Sequence, residues 1–331
     1  MKLLVTGGAG YIGAHFCKHA AAAGHELTVF DNLLGGYREA VRWGDLIVGD
    51  LLDTDALQSA LQKKSFDAVV HFASLIAVGE SVAKPLRYYR NNVAGSINLL
   101  AAMQRAGVAR MVFSSTAAVY GNPLALAAIK ETHPLVPINP YGRGKHMVEQ
   151  LLADAAKGDA MRSVCLRYFN AAGADPSGLI GEAHEPETHL IPNAISAAQS
   201  GRPLAIFGDD YPTADGSCVR DYVHVNDLAS AHLAALSYLD ANAGAHAFNL
   251  GNGAGFSVLD VIHSVERVCK VKVPRDIAPR RDGDPAMLVA DASAAQRVLG
   301  WRPQWADIDA IIDSARRWQA APAYGRVQAS V

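Results

Sequence analysis

The sequence predicts an α/β fold, a doubly wound parallel sheet of the Rossmann type with a smaller C-terminal α/β unit. Three observations carry this. Short, mostly apolar runs alternate with longer helical patterns through the first half of the chain. A glycine-rich turn separates the first apolar run from the first helical pattern. The second half changes to long Gly-, Pro- and Asp-rich stretches followed by further helical patterns.

Residues 3–6 open the pattern as a strand, followed by the glycine turn and a helix over 12–23. Strands follow at 27–30, 46–48, 68–72, 111–113 and 164–168, with helical spacing at 56–63 and 86–106 between them. The runs show little polar alternation, as expected of parallel strands covered by helices on both faces. About six such strands complete a doubly wound sheet. Beyond them, 174–192 and 208–216 lack periodicity, which marks long functional loops. Helices are expected at 226–239, 258–270 and 306–319, and the tail after Ala321 is expected to fray.

Composition narrows the function. Of 331 residues, 50% are hydrophobic and 19% charged, so a core forms and disorder is excluded. The net charge of −2 argues against nucleic acid as a partner. No apolar run reaches the ~18 residues of a membrane span, and glycines interrupt the N-terminus before a signal peptide can form. Cys17, Cys165, Cys218 and Cys269 have no paired spacing, which fits buried thiols in a reducing cytoplasm.

The turn Gly7-Gly8-Ala9-Gly10-Tyr11-Ile12-Gly13 contains GxGxxG between a strand and a helix. Glycines there allow a tight turn and close approach of a pyrophosphate to the helix start. Asp31 ends the next strand at about the spacing of the acid that receives the adenosine ribose hydroxyls. A carboxylate there repels a 2′-phosphate, so NAD is favoured over NADP. The alternative for Asp31-Asn32 is a turn after the strand. Asp50 ends the third strand and could bond the adenine amine or serve near a helix N-terminus.

Tyr141-Gly142-Arg143-Gly144-Lys145 is YxxxK, which on a helix places both side chains on one face. A cation beside tyrosine favours the phenolate and so makes a base. Ser114, Ser115 and Thr116 follow the fifth strand, where open α/β sheets bind ligands. A hydroxyl there could share a proton with Tyr141, or these residues could cap a turn.

With these motifs the chain resembles the extended short-chain dehydrogenase/reductases. Further stretches narrow the likeness: Phe30-Asp31-Asn32-Leu33, His71-Phe72-Ala73, Tyr88-Tyr89-Arg90-Asn91-Asn92-Val93, Leu166-Arg167-Tyr168-Phe169-Asn170, Val219-Arg220-Asp221-Tyr222-Val223-His224-Val225 and Arg280-Arg281-Asp282-Gly283-Asp284. Together they resemble the UDP-glucose (UDP-galactose) 4-epimerase family from Lys2 to about Trp318. The resemblance implies that Tyr141 is the base, Lys145 its partner and ribose ligand, and Thr116 the relay hydroxyl where many members carry Ser. It implies that Gly7, Gly10, Tyr11, Ile12, Asp31, Asn32, Asp50, Leu51, Phe72, Ala73, Asn91, Ser114 and Tyr168 join Tyr141 and Lys145 around NAD. Phe169, Asn170, His189, Leu190, Phe207, Arg220, Arg281 and Asp284 would face the UDP-sugar alongside Thr116 and Tyr141. Either arginine could instead pair with its neighbour, Asp221 or Asp282. Residues 1–170, rejoined by 219–250, would bind NAD, and 171–331 would form a smaller, non-contiguous UDP-sugar unit.

Three positions depart from other members: Ile76 replaces a Lys, His189 an Asn, and Leu288 a bulky Tyr beside the sugar. Dehydratases and decarboxylases of the same type place acids after the Thr, where this chain has Ala117 and Ala118. A non-catalytic NAD-binding regulator would have lost Tyr141 or Lys145. N-acetylated and pentose substrates stay open beside glucose and galactose. No metal is expected: His15 and His19 read as a helix face, and His184, Glu185, Glu187 and His189 as a mobile loop over the nucleotide. A homodimer through 86–106 and 141–156 is expected from the resemblance.

Overall fold

A computed structural model describes residues 1–123, 126–281 and 284–325. The first half runs β1 (Lys2–Thr6), α1 (Tyr11–Ala22), β2 (Glu26–Asp31), β3 (Asp45–Val48), α2 (Thr54–Lys63) and β4 (Ala68–His71). It continues through α3 (Val78–Ala83), α4 (Pro85–Tyr88), α5 (Gly95–Ala106), β5 (Arg110–Ser114), α6 (Pro140–Gly158) and β6 (Arg162–Tyr168). The second half holds β7 (Asn170–Ala172), α7 (Leu190–Ser200), β8 (Leu204–Phe207), β9 (Val219–His224), α8 (Val225–Ala241) and β10 (Ala245–Leu250). Last come β11 (Gly255–Ser257), α9 (Val258–Cys269), β12 (Arg275–Ala278), β13 (Met287–Leu288) and α10 (Ile308–Ala320).

Seven parallel strands form the main sheet in the order β10-β6-β5-β4-β1-β2-β3. The fold class expected from the sequence is the one observed. Alternate residues of β1 explain the continuous apolar run: Leu3 and Val5 join a core with Phe16, Leu228 and Leu236, while Leu4 joins one with Phe30, Leu99 and Met103. Each fully buried Leu contributes about 1.5–3 kcal/mol, which no one-sided strand could match. Strand order reverses between β1 and β4, so a crevice opens there at the carboxyl ends of the strands.

β10 is a seventh strand beyond the six expected; it pairs with β6 at the sheet edge. α8 packs along α1 on the same layer. A third core gathers Ile191, Ile195, Val261, Ile262 and Ile312 from α7, α9 and α10. There β9 pairs with β7, β11 and β13, and β8 pairs with β12. The expected helix over 86–106 is interrupted: Tyr89–Ala94 is a wider π-type turn. As far as residue 325 the tail is held, since Tyr324 is buried against Trp318 and its hydroxyl bonds Gly181; the rest of the tail lies outside the described residues. Among the described residues no helix is long and apolar enough to cross a membrane.

Candidate active site

The site begins with a helix start. Asn139 caps α6 by accepting the Gly142 N–H at 2.8 Å, and Pro140 supplies the pre-set first residue. Tyr141 therefore sits in the first turn, and Lys145 one turn later. Gly142 decides how close this turn comes to the sheet. A Cβ there would lie 2.4 Å from the Ala118 carbonyl oxygen, so only glycine lets α6 approach the Ala117–Val119 turn. That approach brings Thr116, at the end of β5, against Tyr141.

Thr116 serves both readings. Its Oγ1 caps the turn by accepting the Ala118 N–H at 3.1 Å, and its hydroxyl hydrogen bond to Tyr141 favours the phenolate. Burial is the larger influence and pushes the Tyr141 phenol up to about 12. Lys145 donates to the Ser114 carbonyl at 2.7 Å and lies 5.9 Å from the Tyr141 ring centre. Burial lowers its amine to about 7, against the opposing pull of Glu149 and Cys165. Desolvation by the surrounding fold thus works against the charged form of both groups, opposed at Tyr141 by the Thr116 hydrogen bond and at Lys145 by Glu149. The Ser114 hydroxyl bonds the Tyr168 hydroxyl, which closes one side of the cluster.

Beneath this cluster lies a network that the sequence did not disclose. Glu149, one turn after Lys145, takes two hydrogen bonds from Arg167 at 2.9 and 2.6 Å and one from Ser115 at 2.5 Å. Arg167 also donates to Tyr120 at 3.0 Å, and Tyr120 donates to Asn249 at 2.6 Å. Both charges are buried. Only the four-residue spacing from Lys145 could have suggested Glu149.

The crevice has the cradle of a dinucleotide site. Gly7 has φ +75°, and a Cβ on it would fall 2.4 Å from the Ala73 backbone nitrogen, beside Phe72. A Cβ on Gly13 would lie 2.2 Å from the Gly7 carbonyl oxygen. Gly10 caps α1 with no side chain, and no acid occupies the first turn, so the N–H groups near Tyr11 and Ile12 stay available to an anion. Asp31 is buried, with one oxygen bonded to the Ala9 N–H and the other to the Leu33 N–H. Desolvation pushes the Asp31 carboxyl up from its ordinary value, and both oxygens retain lone pairs for hydroxyls. Asn32 donates to Asp50 at 2.9 Å, while Leu51 packs in the core. Asp50 also accepts the Leu52 N–H at 2.8 Å just before α2, whose cap is Asp53. Tyr11 donates to the Gly173 carbonyl. Asn91 lies in the π-type turn and donates to Asn92, which holds the Leu75 backbone. These residues fit NAD.

The remaining predicted residues lie after β6 in the chain. Phe169 packs against the cluster of Ala117, Val119, Tyr120 and Ile129, as does Leu288, and Asn170 donates to the Asp221 carbonyl at 3.1 Å. His189 precedes α7, which begins at Leu190. The Arg281 guanidinium lies 3.8 Å over the Phe207 ring, and Arg220 pairs with Asp284. The suggested Arg220–Asp221 pair does not form: Asp221 accepts backbone N–H groups of Asn252, Gly253 and Ala290. Asp282 lies outside the described residues. Ile76 is exposed. The expected loop over 184–189 holds a hydrogen-bonded network of Glu182, His184, Glu187 and His189.

Comparison with known proteins decides the family. The sequence profile of the NAD dependent epimerase/dehydratase family matches residues 3–251. This chain belongs to that family. It is 51% identical to the UDP-glucose 4-epimerase of Rhizobium leguminosarum bv. trifolii, over 96% of this chain and 97% of that one. It is similar to the crystal structure of Brucella ovis UDP-glucose 4-epimerase in complex with NAD: TM-score 0.92, 46% identity, 96% of this chain and 98% of that one. The Bifidobacterium longum enzyme in complex with NAD+ and UDP gives a TM-score of 0.93 at 38% identity, over 98% and 100% of the two chains. As an epimerase-family member the chain is an NAD-dependent enzyme.

Proposed function

We propose that this chain is an isomerase that interconverts UDP-galactose and UDP-glucose through a transient 4-keto sugar. The observation that carries the reading is the Thr116–Tyr141–Lys145 cluster, with Thr116 and Lys145 buried and Tyr141 partly so, bounded by alanines at 117 and 118. A tyrosine and a hydroxyl suffice to move one proton, and the two positions after Thr116 carry no acid to eliminate water from the ketone. Bound NAD would supply the hydride acceptor and donor chemistry at C4 and a positive charge that favours the Tyr141 phenolate.

Tyr141 takes the 4′-hydroxyl proton as the C4–H bond breaks, with Thr116 donating to the reacting oxygen. Lys145, fixed on the Ser114 carbonyl, holds the cofactor ribose. The planar ketone turns about its diphosphate linkage and presents its other face, and Tyr141 returns the proton. Arg220 and Arg281 hold the diphosphate, with Asp284 orienting Arg220 and binding the nucleotide ribose. Phe207 and Leu190 pack against the uracil, His189 donates to the nucleotide, and Phe169 and Asn170 face the sugar. Gly7, Gly10, Tyr11, Ile12, Asp31, Asn32, Asp50, Leu51, Phe72, Ala73, Asn91, Ser114 and Tyr168 line the cofactor.

Residues 1–170 with 219–250 act as the NAD unit and the remainder as the sugar-nucleotide unit. The protein works in the cytoplasm, which its unpaired cysteines fit. It forms a homodimer through α4, α5 and α6, where Leu86, Ile97 and Met147 are exposed.

Incubation with UDP-galactose, UDP-N-acetylgalactosamine and UDP-arabinose, without added oxidant, tests the reading. UDP-glucose as the principal product supports it. Absence of a 4-epimer from all three overturns it, and preference for the N-acetylated sugar would move the specificity.

A further inference from the structure

Outside the catalytic cluster, one group of side chains among the described residues brings mixed metal-ligand chemistry together. The segment between β7 and α7 carries two Glu-x-His dyads, Glu182/His184 and Glu187/His189, on either side of a bend at 185–186. Residues two apart on extended backbone project to one side, and the bend turns the two dyads toward each other. One ligand atom from each of the four lies within 4.8 Å of all the others. His189 Nδ1 is 2.8 Å from Glu182 Oε1 and 2.8 Å from Glu187 Oε1. His184 Nδ1 is 3.1 Å from Glu182 Oε1 and 3.9 Å from Glu187 Oε2.

Zinc bonds to nitrogen and oxygen of about 2.0–2.1 Å define a tetrahedron with edges of about 3.3–3.4 Å. The separations of 2.8–3.9 Å fall on both sides of that length and every pair lies within 4.8 Å, so side-chain shifts of up to about 1.5 Å regularise the cage. Two imidazoles disfavour calcium and magnesium, which take oxygen ligands. Two carboxylates balance the charge of a divalent ion.

The ligands are held from outside as well. Glu187 Oε1 accepts the N–H groups of Thr188 and His189 at 2.7 and 2.8 Å. The Glu182 carbonyl accepts from Trp318 at 2.7 Å, and the Gly181 N–H donates to Tyr324 at 3.1 Å. The Glu182 side chain is 8% exposed and that of His189 42%, so the cage has a closed protein side and an open side through which an ion enters.

We propose that Glu182, His184, Glu187 and His189 form a structural Zn2+ site that pins the segment after β7 to the start of α7. Four protein ligands leave no open position, so the ion shapes the protein and takes no part in hydride transfer. Coordination through Nδ1 fixes each imidazole in the tautomer with hydrogen on Nε2. For His189 that tautomer is the hydrogen-bond donor which the nucleotide assignment above requires. The metal assignment itself does not depend on that reading.

The test uses the NAD-bound protein without UDP-sugar. After chelator treatment it is titrated with ZnCl2 by calorimetry and with CoCl2 by visible absorption. The expected result is one equivalent per chain, the intense bands of tetrahedral cobalt, and a melting temperature that rises with Zn2+. His184→Ala and Glu187→Gln should weaken binding at least tenfold and abolish the thermal shift, whereas Tyr141→Phe keeps the full equivalent. If His184→Ala does not fold, the near-isosteric Glu187→Gln carries the comparison. Substoichiometric binding by wild type, an adventitious ion only, overturns the proposal. So does a full equivalent retained by Glu187→Gln and every folded His184→Ala preparation.

Discussion

Replacing Glu149 by Ala tests the support beneath the catalytic cluster. The substitution removes the acceptor of two Arg167 hydrogen bonds and of the Ser115 hydroxyl. Arg167 is 5% exposed, so its charge cannot reach water. Breaking a buried pair from one side costs about 3–5 kcal/mol, because the surviving charge is left uncompensated. At about 2.1 cal/mol/K of unfolding entropy per residue, this chain has roughly 0.7 kcal/mol/K, so the melting temperature should fall by about 4–7 °C. Removing the stranded charge as well, in Glu149→Ala/Arg167→Met, should recover about half of that loss or more. Calorimetry of the wild type, both single variants and the double variant closes the cycle. A Glu149→Ala protein within about 1 kcal/mol of wild type, or a double variant no more stable than that single one, would refute the reasoning.

Other consequences follow from the same geometry. Tyr141→Phe should keep bound NAD and lose about 10²–10⁴-fold in turnover, read by steady-state kinetics and the absorbance of released cofactor. Gly10→Ala, whose Cβ would meet only the Gly7 oxygen at 3.4 Å, should fold normally but purify with less NAD. Gly13→Ala, with its 2.2 Å clash, should lose both stability and NAD in thermal melts and cofactor assay. Lys145 titrates near 7 in the folded state and near 10.5 when unfolded, so between those values the unfolded chain binds more protons and stability rises with pH. The stability of NAD-free wild type relative to Lys145→Met should therefore grow by about 2 kcal/mol from about pH 7.5 to 9.5 in urea titrations. An unchanged difference would contradict the buried amine.

The central strands were legible because a parallel strand covered on both faces has no polar side to disguise it, as Leu3, Leu4 and Val5 show. The phosphate turn was legible because glycine spacing and Asp31 are local in sequence. β10 was not, since its residues Ala245 and His246 carry no continuous apolar run at the sheet edge. Gly142 occupies an unspecified position of YxxxK; its role lies in the distance to Ala118, which only tertiary packing reveals. Glu149 and Arg167 look like surface charges until β6 and α6 bury them against each other. The Tyr–Lys spacing was legible as one face of a helix, whereas the desolvation of both groups was not, because it depends on the surrounding fold.

Isotopic fate at C4 tests the central claim most directly. UDP-galactose deuterated at C4 is incubated with the protein in ordinary water, and the UDP-glucose formed is examined by mass spectrometry and NMR. Transfer of hydride out and back within one bound complex predicts UDP-glucose that keeps the deuterium at C4, with no oxygen exchanged from labelled solvent. Loss of the deuterium to solvent, or entry of solvent oxygen at C4, would contradict oxidation and re-reduction at the Tyr141 centre.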